Sequence, residues 1–468
     1  MLSPPRTLVY QVFVDRFAGD DGRALSAPPA GVDPWQHHAG GTLDGVRARL
    51  DHIVSLGADC LYLTPIFRAP SNHKYDTASF DEVDPCFGGD AAFARLADAC
   101  RARGLGLVLD GVFNHVGEAH DWFRAARTSV DHEHAAFFRF ERHPDVYAAW
   151  RGMGWLPELA LEHPGVQARL FDGPEAVLPA WIARGATGFR LDCANDLGLA
   201  VCARAAAAGR SAGAVDGVLG EVMAWAEDYV AEGRLDGVMN YWFRSIVLGL
   251  AGGEVSAGAA LEHLGRMAAH WREDALLRSW NLLASHDTAR LASALPDPAA
   301  RRLARALAFT LPGVPHVYYG DEIGLTADGD PANRAPMPWD ERHWDQATLA
   351  DVRALARLRA THPALRTGGF LAMPQPDAPS LLVFARRSAR PEETVVVVAN
   401  ASARPASARL FLPSSALLDA LPLVDARGES PPTRMAAGTA RVELAAWAVA
   451  CFVPDDASIA GYRFFGRG

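Results

Sequence analysis

The sequence predicts an α/β protein: a (β/α)8 TIM barrel with a lobe inserted after its third strand and an all-β domain towards the C-terminal end. Three observations lead there. Eight short apolar runs alternate with amphipathic stretches over residues 8–322. One connection, 114–165, is too long for an ordinary strand-to-helix loop. After about residue 366 the helical period gives way to short strands separated by turn residues.

In chain order the runs are LVYQVFV (8–14), DCLYLTPIF (59–67), GLGLVLDGVF (104–113), GFRLDC (188–193), GVLGEV (217–222), DGVMN (236–240), SWNLLASHD (279–287) and GVPHVYYGDE (313–322). Parallel strands covered on both faces read as such near-continuous apolar runs. Between them lie stretches such as LDGVRARLDHIVSLG and GDAAFARLADACRARG. In the second, Phe93, Leu96, Ala97 and Cys100 recur at helical spacing, and both end on Gly, a helix stop signal. Eight alternations suit a closed barrel. The rival open, doubly wound sheet announces itself with a Gly-rich phosphate loop after the first strand, and VDRFAGDDG is not one. The expected division is a barrel over 1–113 and 166–365, an inserted lobe rich in His and aromatics over 114–165, and an antiparallel β domain over 366–468. In that last part SLLVFARRS, TVVVVAN, ARLFLP and WAVACFV read as strands.

Composition narrows the function classes. The 468 residues carry 45 basic and 55 acidic side chains, a formal charge of −10, which argues against a nucleic-acid or anionic-membrane partner. No run of apolar residues is long enough for a membrane span and no signal-peptide pattern opens the chain, so the expectation is a cytoplasmic protein. The six cysteines are scattered without a CxxC pair and read as buried free thiols.

Position makes the polar residues informative. In such barrels the active site sits at the C-terminal ends of the strands. The third run ends with Asp110, Asn114 and His115, the fourth with Arg190 and Asp192, and the fifth with Glu221. The seventh ends with His286 and Asp287 and the eighth with YYGDE. A single acid after a strand is commonly a helix N-cap, and a single His a hydrogen-bonded structural residue. Acids on runs four, five and seven with Arg and His beside them at one rim are not explained so simply, because buried charge is costly unless paired or used. Arg190 and Asp192 are two apart, so a strand puts both on one face. Three acids, an Arg and no phosphate loop suggest glycoside chemistry, in which two carboxylates flank the scissile bond, about 5 Å apart in retaining enzymes. Neighbouring strands about 4.8 Å apart deliver that spacing, which makes Asp192 and Glu221 the pair. Arg190 is expected to keep Asp192 ionised, Glu221 to be the proton donor, and Asp287 to support positive charge at the anomeric carbon.

These residues resemble a known family. DGVFNH (110–115), GFRLDCAND (188–196), GEVMAWA (220–226) and LLASHDTAR (282–290) are similar, in order, to the four signature regions of the α-amylase family of glycoside hydrolases. GADCLYLTPIF and PGVPHVYYGDEIGL resemble further blocks of it, over about residues 8–365. VYQVFVDRF, NHKYDT (72–77), LPEL (156–159) and GDPANRAPMPWD (329–340) are most similar to its neopullulanase, cyclomaltodextrinase and maltogenic amylase group. The resemblance implies Asp192 as nucleophile, Glu221 as acid/base and Asp287 as transition-state stabiliser, with Arg190 orienting the nucleophile. It implies that His115 and His286 bond the sugar at the cleavage point with His73 nearby, and that Tyr75 stacks on that sugar. It also implies that Asp330 and Arg334 hold the next sugar on the non-reducing side; a surface ion pair is the plainer reading of those two.

Departures from the group bear on substrate more than on reaction. The group usually carries an N-terminal β domain that serves dimerisation, whereas here the barrel pattern starts at once. The expectation is a monomer, or a dimer not formed through such a domain. Met223 and Ala224 stand where Trp and His are usual after the acid/base, and Asp196 stands where Glu is usual. The usual calcium loop is shortened to FAGDDG, and Thr42 replaces its Asp partner, so no cofactor and no metal is expected. The leading reading is a hydrolase of α-1,4 bonds in cyclodextrins or short maltooligosaccharides, with an oligosaccharide as its partner. A 4-α-glucanotransferase using the same intermediate is the alternative. A non-catalytic scaffold on this fold is expected to have lost a carboxylate, and all three are present; a nucleotide-dependent transferase lacks a phosphate-binding signature.

Overall fold

Eight short parallel strands, each buried along its whole length, close on themselves: β1 (Val9–Val12), β2 (Cys60–Leu63), β3 (Gly106–Gly111), β4 (Gly188–Leu191), β5 (Gly217–Val222), β6 (Gly237–Asn240), β7 (Trp280–Leu282) and β8 (Val314–Tyr318). Their order round the barrel is their order in the chain, and β8 pairs back to β1. The structure, a computed structural model, describes residues 2–455 apart from 30 and 36. The end of the expected C-terminal domain, 456–468, therefore lies outside the described residues, as does Met1.

The strand period of two sorts the barrel interior into layers. Val9, Cys60, Val108, Leu219, Met239, Trp280 and Val314 form one buried apolar cluster low in the barrel. One inward step higher along their strands, Gln11, Asp110, Glu221 and His316 replace Val9, Val108, Leu219 and Val314, and all four are buried. The interior thus changes from apolar to polar towards the strands' C-terminal ends.

Between β3 and β4 the chain makes its excursion. A short helix (Asp121–Ala126) and a small hairpin (Phe140–Arg142 with Val146–Tyr147) pack around Phe123, whose ring lies 4.8 Å from Phe138 and 4.7 Å from Tyr147. Isolated pairings of His115 with Glu158 and of Phe138 with Leu159 stitch this part to the barrel rim. Helices Pro164–Phe171 and Val177–Ala183 then lead into β4.

From Gly369 the strands are antiparallel: β9 (Gly369–Ala372), β10 (Leu381–Arg387), β11 (Val395–Asn400), β12 (Ala406–Phe411), β13 (Pro422–Asp425), β14 (Thr433–Arg434), β15 (Thr439–Leu444) and β16 (Val449–Pro454). They form a six-stranded sheet in the order β9-β10-β11-β16-β13-β14 and a separate β12-β15 pair. Arg386 of β10 joins this part to the barrel. It is fully buried, and its guanidinium donates to the carbonyls of Thr310 (2.8 Å), Leu365 (2.9 Å) and Gly368 (2.8 Å). Thr310 ends the helix Pro298–Thr310, whose last carbonyls have no partner within the helix and favour a cation.

All six cysteines are free, but the expectation that all are buried needs correction. Cys86 is exposed in a one-turn helix at the surface, and Cys193 is half-buried at the turn that ends β4. No helix among the described residues is long and apolar enough to cross a membrane.

Arg386→Leu takes the guanidinium away from the buried Thr310 and Gly368 carbonyls, while the Leu365 carbonyl keeps Arg359 at 2.6 Å. It should destabilise the protein by about 2 kcal/mol or more, at ~1–3 kcal/mol for each unsatisfied group. Thermal unfolding reads this as a lower Tm, and Arg386→Lys should recover only part of the loss because one ammonium cannot reproduce the guanidinium fork.

Candidate active site

The polar layer at the top of the barrel is organised by Arg190. Asp110 and Arg190 are register partners across β3 and β4, and Glu221 sits at the top of β5, next door. Arg190 Nη1 donates to Asp110 Oδ1 and to Asp192 Oδ1, both at 2.8 Å, and Nη2 lies 2.9 Å from Glu221 Oε2. Cys193 follows Asp192 in a left-handed conformation (φ 47°), an uncommon state for a non-glycine residue that recurs at functional turns. Its N–H donates to Glu221 Oε2 at 3.1 Å. One oxygen of Asp192 and one of Glu221 lie within 4.8 Å of each other.

Arg190 meets Asp192 but does not face it alone. One guanidinium serves three buried carboxylates. Burial pushes the Asp192 carboxyl up to about 8; Arg190 pulls it down, while Glu221 and Asp110 push it up again. Burial also raises Glu221, against Arg190 and with a contribution from Asp287. Asp110 is raised too, although Arg190 and the hydroxyls of Tyr62 and Tyr75 favour its charged form. The cluster retains protons that three separate carboxylates in water would release.

The loops after β2, β3, β7 and β8 complete the rim. Asp287 is the most open of the three expected acids, its side chain 29% exposed. It lies 3.2 Å from His286 Nε2 and accepts from Arg334 Nη2 at 3.3 Å. Arg334 also pairs with Asp330 at 3.0 Å and donates to the His286 carbonyl at 3.0 Å. Arg334 is buried, so the Asp330–Arg334 pair is tied into the site and is not a surface ion pair. Burial raises Asp330 to about 6. Tyr75 stacks on His286 with ring centroids 5.6 Å apart and donates to Asp110 at 3.0 Å. His73 stacks on Tyr75 at 5.9 Å. Burial lowers His73 to about 3, His115 to about 4 and His286 well below its ordinary value, so all three are neutral at pH 7.

The ten residues singled out in the sequence thus gather at one rim. Others join them, among them Asp110, already placed at the end of the third run. Asp110 is held by Arg190, Tyr62 (2.6 Å) and Tyr75. Tyr241 reaches Glu221 Oε1 at 3.4 Å. Gln11 meets His286 Nδ1 at 2.7 Å, and Asn333 donates to the carbonyls of His286 (2.7 Å) and Thr288 (2.8 Å). Gln11 carried a signal, an amide inside an apolar strand, and Asp110 one in its place at the end of a run; Tyr62, Tyr241 and Asn333 carried none that separates them from core residues. The acids of YYGDE, by contrast, do not enter the site. Glu322 is fully buried, where it accepts from Tyr10 Oη at 2.7 Å and meets His52 at 3.0 Å, while Asp321 pairs with Arg290.

In the loop weighed above for calcium, several oxygens are already committed within the protein. The Thr42 hydroxyl is committed as the N-cap of Leu43–Ala48, accepting from Gly45 N at 3.0 Å. Asp21 closes its own turn through Arg23 N, and Arg49 donates to the Gly22 carbonyl at 2.7 Å. Among the described residues the His, Cys, Asp or Glu group close enough to share an ion is Asp192, Cys193 and Glu221. That group already faces the Arg190 guanidinium.

Comparison with known proteins gives the following. A family model for the catalytic domain of alpha amylase matches residues 11–206 and 200–356. Neopullulanase 2 of Thermoactinomyces vulgaris is 34% identical over 399 residues, 81% of this chain and 67% of that protein. A cyclomaltodextrinase from Bacillus sp is 33% identical over 411 residues, 84% of this chain and 72% of that protein. Among solved structures, cyclic α-maltosyl-(1→6)-maltose hydrolase from Arthrobacter globiformis is similar with a TM-score of 0.80 at 32% identity, over 95% of this chain and 98% of that one.

The raised Asp192 carboxyl has a consequence for stability. The folded protein holds this proton more tightly than the unfolded chain, so its contribution is fully present below the unfolded carboxylate value of ~3.9 and is lost as pH rises through about 8. Asp192→Asn removes that pH dependence. Its Tm relative to the wild type should therefore be higher at pH 9 than at pH 5, as read by calorimetry at both.

Proposed function

The chain belongs to the α-amylase family of glycoside hydrolases, and from that we propose that it cleaves α-1,4 bonds of cyclodextrins or short maltooligosaccharides by a retaining, two-step mechanism. Asp192 attacks the anomeric carbon while Glu221 gives its proton to the departing glycosidic oxygen. Water then releases the covalent glycosyl intermediate, with Glu221 taking back a proton. Asp287, open to the cleft and braced by Arg334, faces the positive charge that develops on the sugar.

The carrying observation is the Asp192–Glu221 approach around Arg190. Carboxyl oxygens within 4.8 Å match the close spacing of retaining enzymes, not the wider gap that an inverting enzyme needs for an intervening water. Proton retention by the cluster supports Glu221 as a carboxylic acid at neutral pH. Arg190 pulls the Asp192 carboxyl down against the upward push of burial, the direction a nucleophile needs. The neutral His115, whose Nε2 has no partner, suits a sugar hydroxyl. Tyr75, half-buried and stacked on the fully buried His286, offers a ring that suits an apolar sugar face. A sugar acceptor in place of water makes the same site a glucanotransferase. This second reading is favoured by a cavity of about 620 Å³ whose lining includes Asn114, Trp150 and Asp196, next to the rim.

Asp192→Asn should abolish cleavage of α-1,4 linkages, and Glu221→Gln should lower kcat by about 10²–10⁴-fold. Proton NMR of the first product should show the α-anomer; a β-anomer excludes the two-step route. A time course on β-cyclodextrin, maltotriose, pullulan and starch ranks the substrates, with products longer than maltotriose marking transfer. Chelation with EDTA should leave both activity and Tm unchanged, and a large fall in Tm would show a structural metal.

A further inference from the structure

Six of the 16 histidines fall in residues 114–165, and three of them cap the short helices of the inserted lobe. Trp122 N donates to His120 Nδ1 at the start of Asp121–Ala126. His134 N donates to His132 Nδ1 at the start of the one-turn helix Glu133–Phe137, and Gly165 N to His163 Nδ1 at the start of Pro164–Phe171. Each distance is 3.1 Å. An imidazole accepts at Nδ1 only while it is neutral; once protonated, both ring nitrogens are donors and the capped N–H faces another N–H. Ser, Thr and Asn, common N-caps, carry no such condition. The three caps share one aromatic cluster. His120 lies 4.9 Å from Trp122, Trp122 5.5 Å from Phe137, and Phe137 4.9 Å from His134 and 5.5 Å from His163, with His132 5.2 Å from His134. His120 Nε2 and His134 Nδ1 are buried there without a partner. Arg68 and His134 disfavour a positive charge at His120. Arg169, 5.6 Å over the Trp122 ring, and His132 disfavour one at His134, while Glu133 favours it. Asp121 and Glu162, beside His120 and His163 in sequence, are paired with Arg68 and Arg139, and Asp131 beside His132 is exposed to solvent. Backbone joins the cluster to the rim: Ala160 N donates to the Phe137 carbonyl at 2.7 Å, and Leu159 N to the Asn114 carbonyl at 3.0 Å.

We propose that the inserted lobe is an acid-sensitive latch: protonation of His120, His132 and His163 uncaps three helix starts together and releases residues 157–160, and with them the lobe's hold on the barrel rim. Burial sets the sign at His120. It is held down to about 3, below the ~6.5 of an unfolded imidazole, so its contribution is fully present above ~6.5 and is lost as pH falls towards 3. In the folded cluster a first positive charge disfavours a second, whereas an opened lobe takes up every proton, so the caps are lost as a group. The carboxyl at Asp192 runs the other way, its contribution being lost as pH rises. The lobe therefore loosens in acid above a barrel whose carboxyl cluster acid favours.

Hydrogen exchange read by mass spectrometry tests this on the whole protein without turnover, and so independently of which sugar is cleaved. Between pH 7 and pH 5, with exchange times scaled to the intrinsic rate, amides of 120–138 and 157–171 should lose protection by about tenfold or more, while those of the barrel strand Gly106–Gly111 keep theirs. Unchanged protection in the lobe overturns the proposal. In a protein carrying His120→Asn, His132→Asn and His163→Asn, the side-chain oxygens still cap but do not titrate, so the lobe should keep its protection at pH 5. A loss equal to that of the wild type overturns the proposal, because acid then acts elsewhere. His163→Asn alone changes one half-buried cap and serves if the triple variant does not fold. Its loss at pH 5 should be several-fold smaller than that of the wild type, and an equal loss also overturns the proposal.

Discussion

Arg190 is fully buried, and its guanidinium meets Asp110, Asp192 and Glu221 at once. The arrangement follows from the barrel. Cross-strand register puts Asp110 beside Arg190, the strand period puts Asp192 on the face of Arg190, and the next strand delivers Glu221. One positive charge cannot offset three negative ones in a poorly solvated interior. The cluster therefore holds on to protons, as the upward shifts of all three carboxyls reflect. Carboxyls raised by burial around one fixed cation are what an acid and a nucleophile side by side would need. Removing Arg190 would leave three acids facing each other, so the geometry of the rim depends on that one side chain.

A second ionic layer supports the open side. Arg334 joins Asp287, Asp330 and the His286 carbonyl, while Asn333, its neighbour in sequence, ties down the His286 and Thr288 carbonyls. The loop after β8 thus fixes the loop after β7. Asp287 is accessible because its support comes from below and beside it, leaving its outer face to the cleft. Burial disfavours a charged imidazole at His286, and Arg334 and Arg190 act in the same direction.

What was legible in the sequence was whatever period and position encode. The eight apolar runs each contain a barrel strand, and the Arg190–Asp192 spacing placed both residues on one face. The acids at the ends of runs four, five and seven meet because barrel strands all end at the same rim. Contacts that depend on distant loops were not legible. Trp150 finds Asp196 across the lobe, and Arg334 finds Asp287 across two loops. Asp110 looked like any acid after a strand until Arg190, Tyr62 and Tyr75 were seen around it. The YYGDE acids show the opposite failure. Their sequence position matched the rim, but the chain turns at Gly320 (φ 88°) and sends Glu322 to Tyr10 and His52. Arg386 lay in an apolar run that marked a strand, but nothing local tells that its guanidinium closes helix carbonyls of another layer.

The charge balance also bears on what the site accepts. Asp110, Asp192, Glu221, Asp287 and Asp330 stand against Arg190 and Arg334, so ionised groups at the rim sum towards negative even with protons retained. An anionic substrate would be repelled at close range and would displace no counter-charge. A neutral polyol brings no such penalty, and its hydroxyls suit the neutral imidazoles. The surplus negative charge becomes useful only when a sugar ring turns positive, in the transition state, because an interaction stronger there than in the bound substrate is what accelerates the reaction. The same surplus is unhelpful to any chemistry that builds negative charge, such as attack on a carbonyl, which needs donors aimed at an oxyanion. The electrostatics and the fold therefore favour one class of reaction, glycosyl transfer to water or to another sugar.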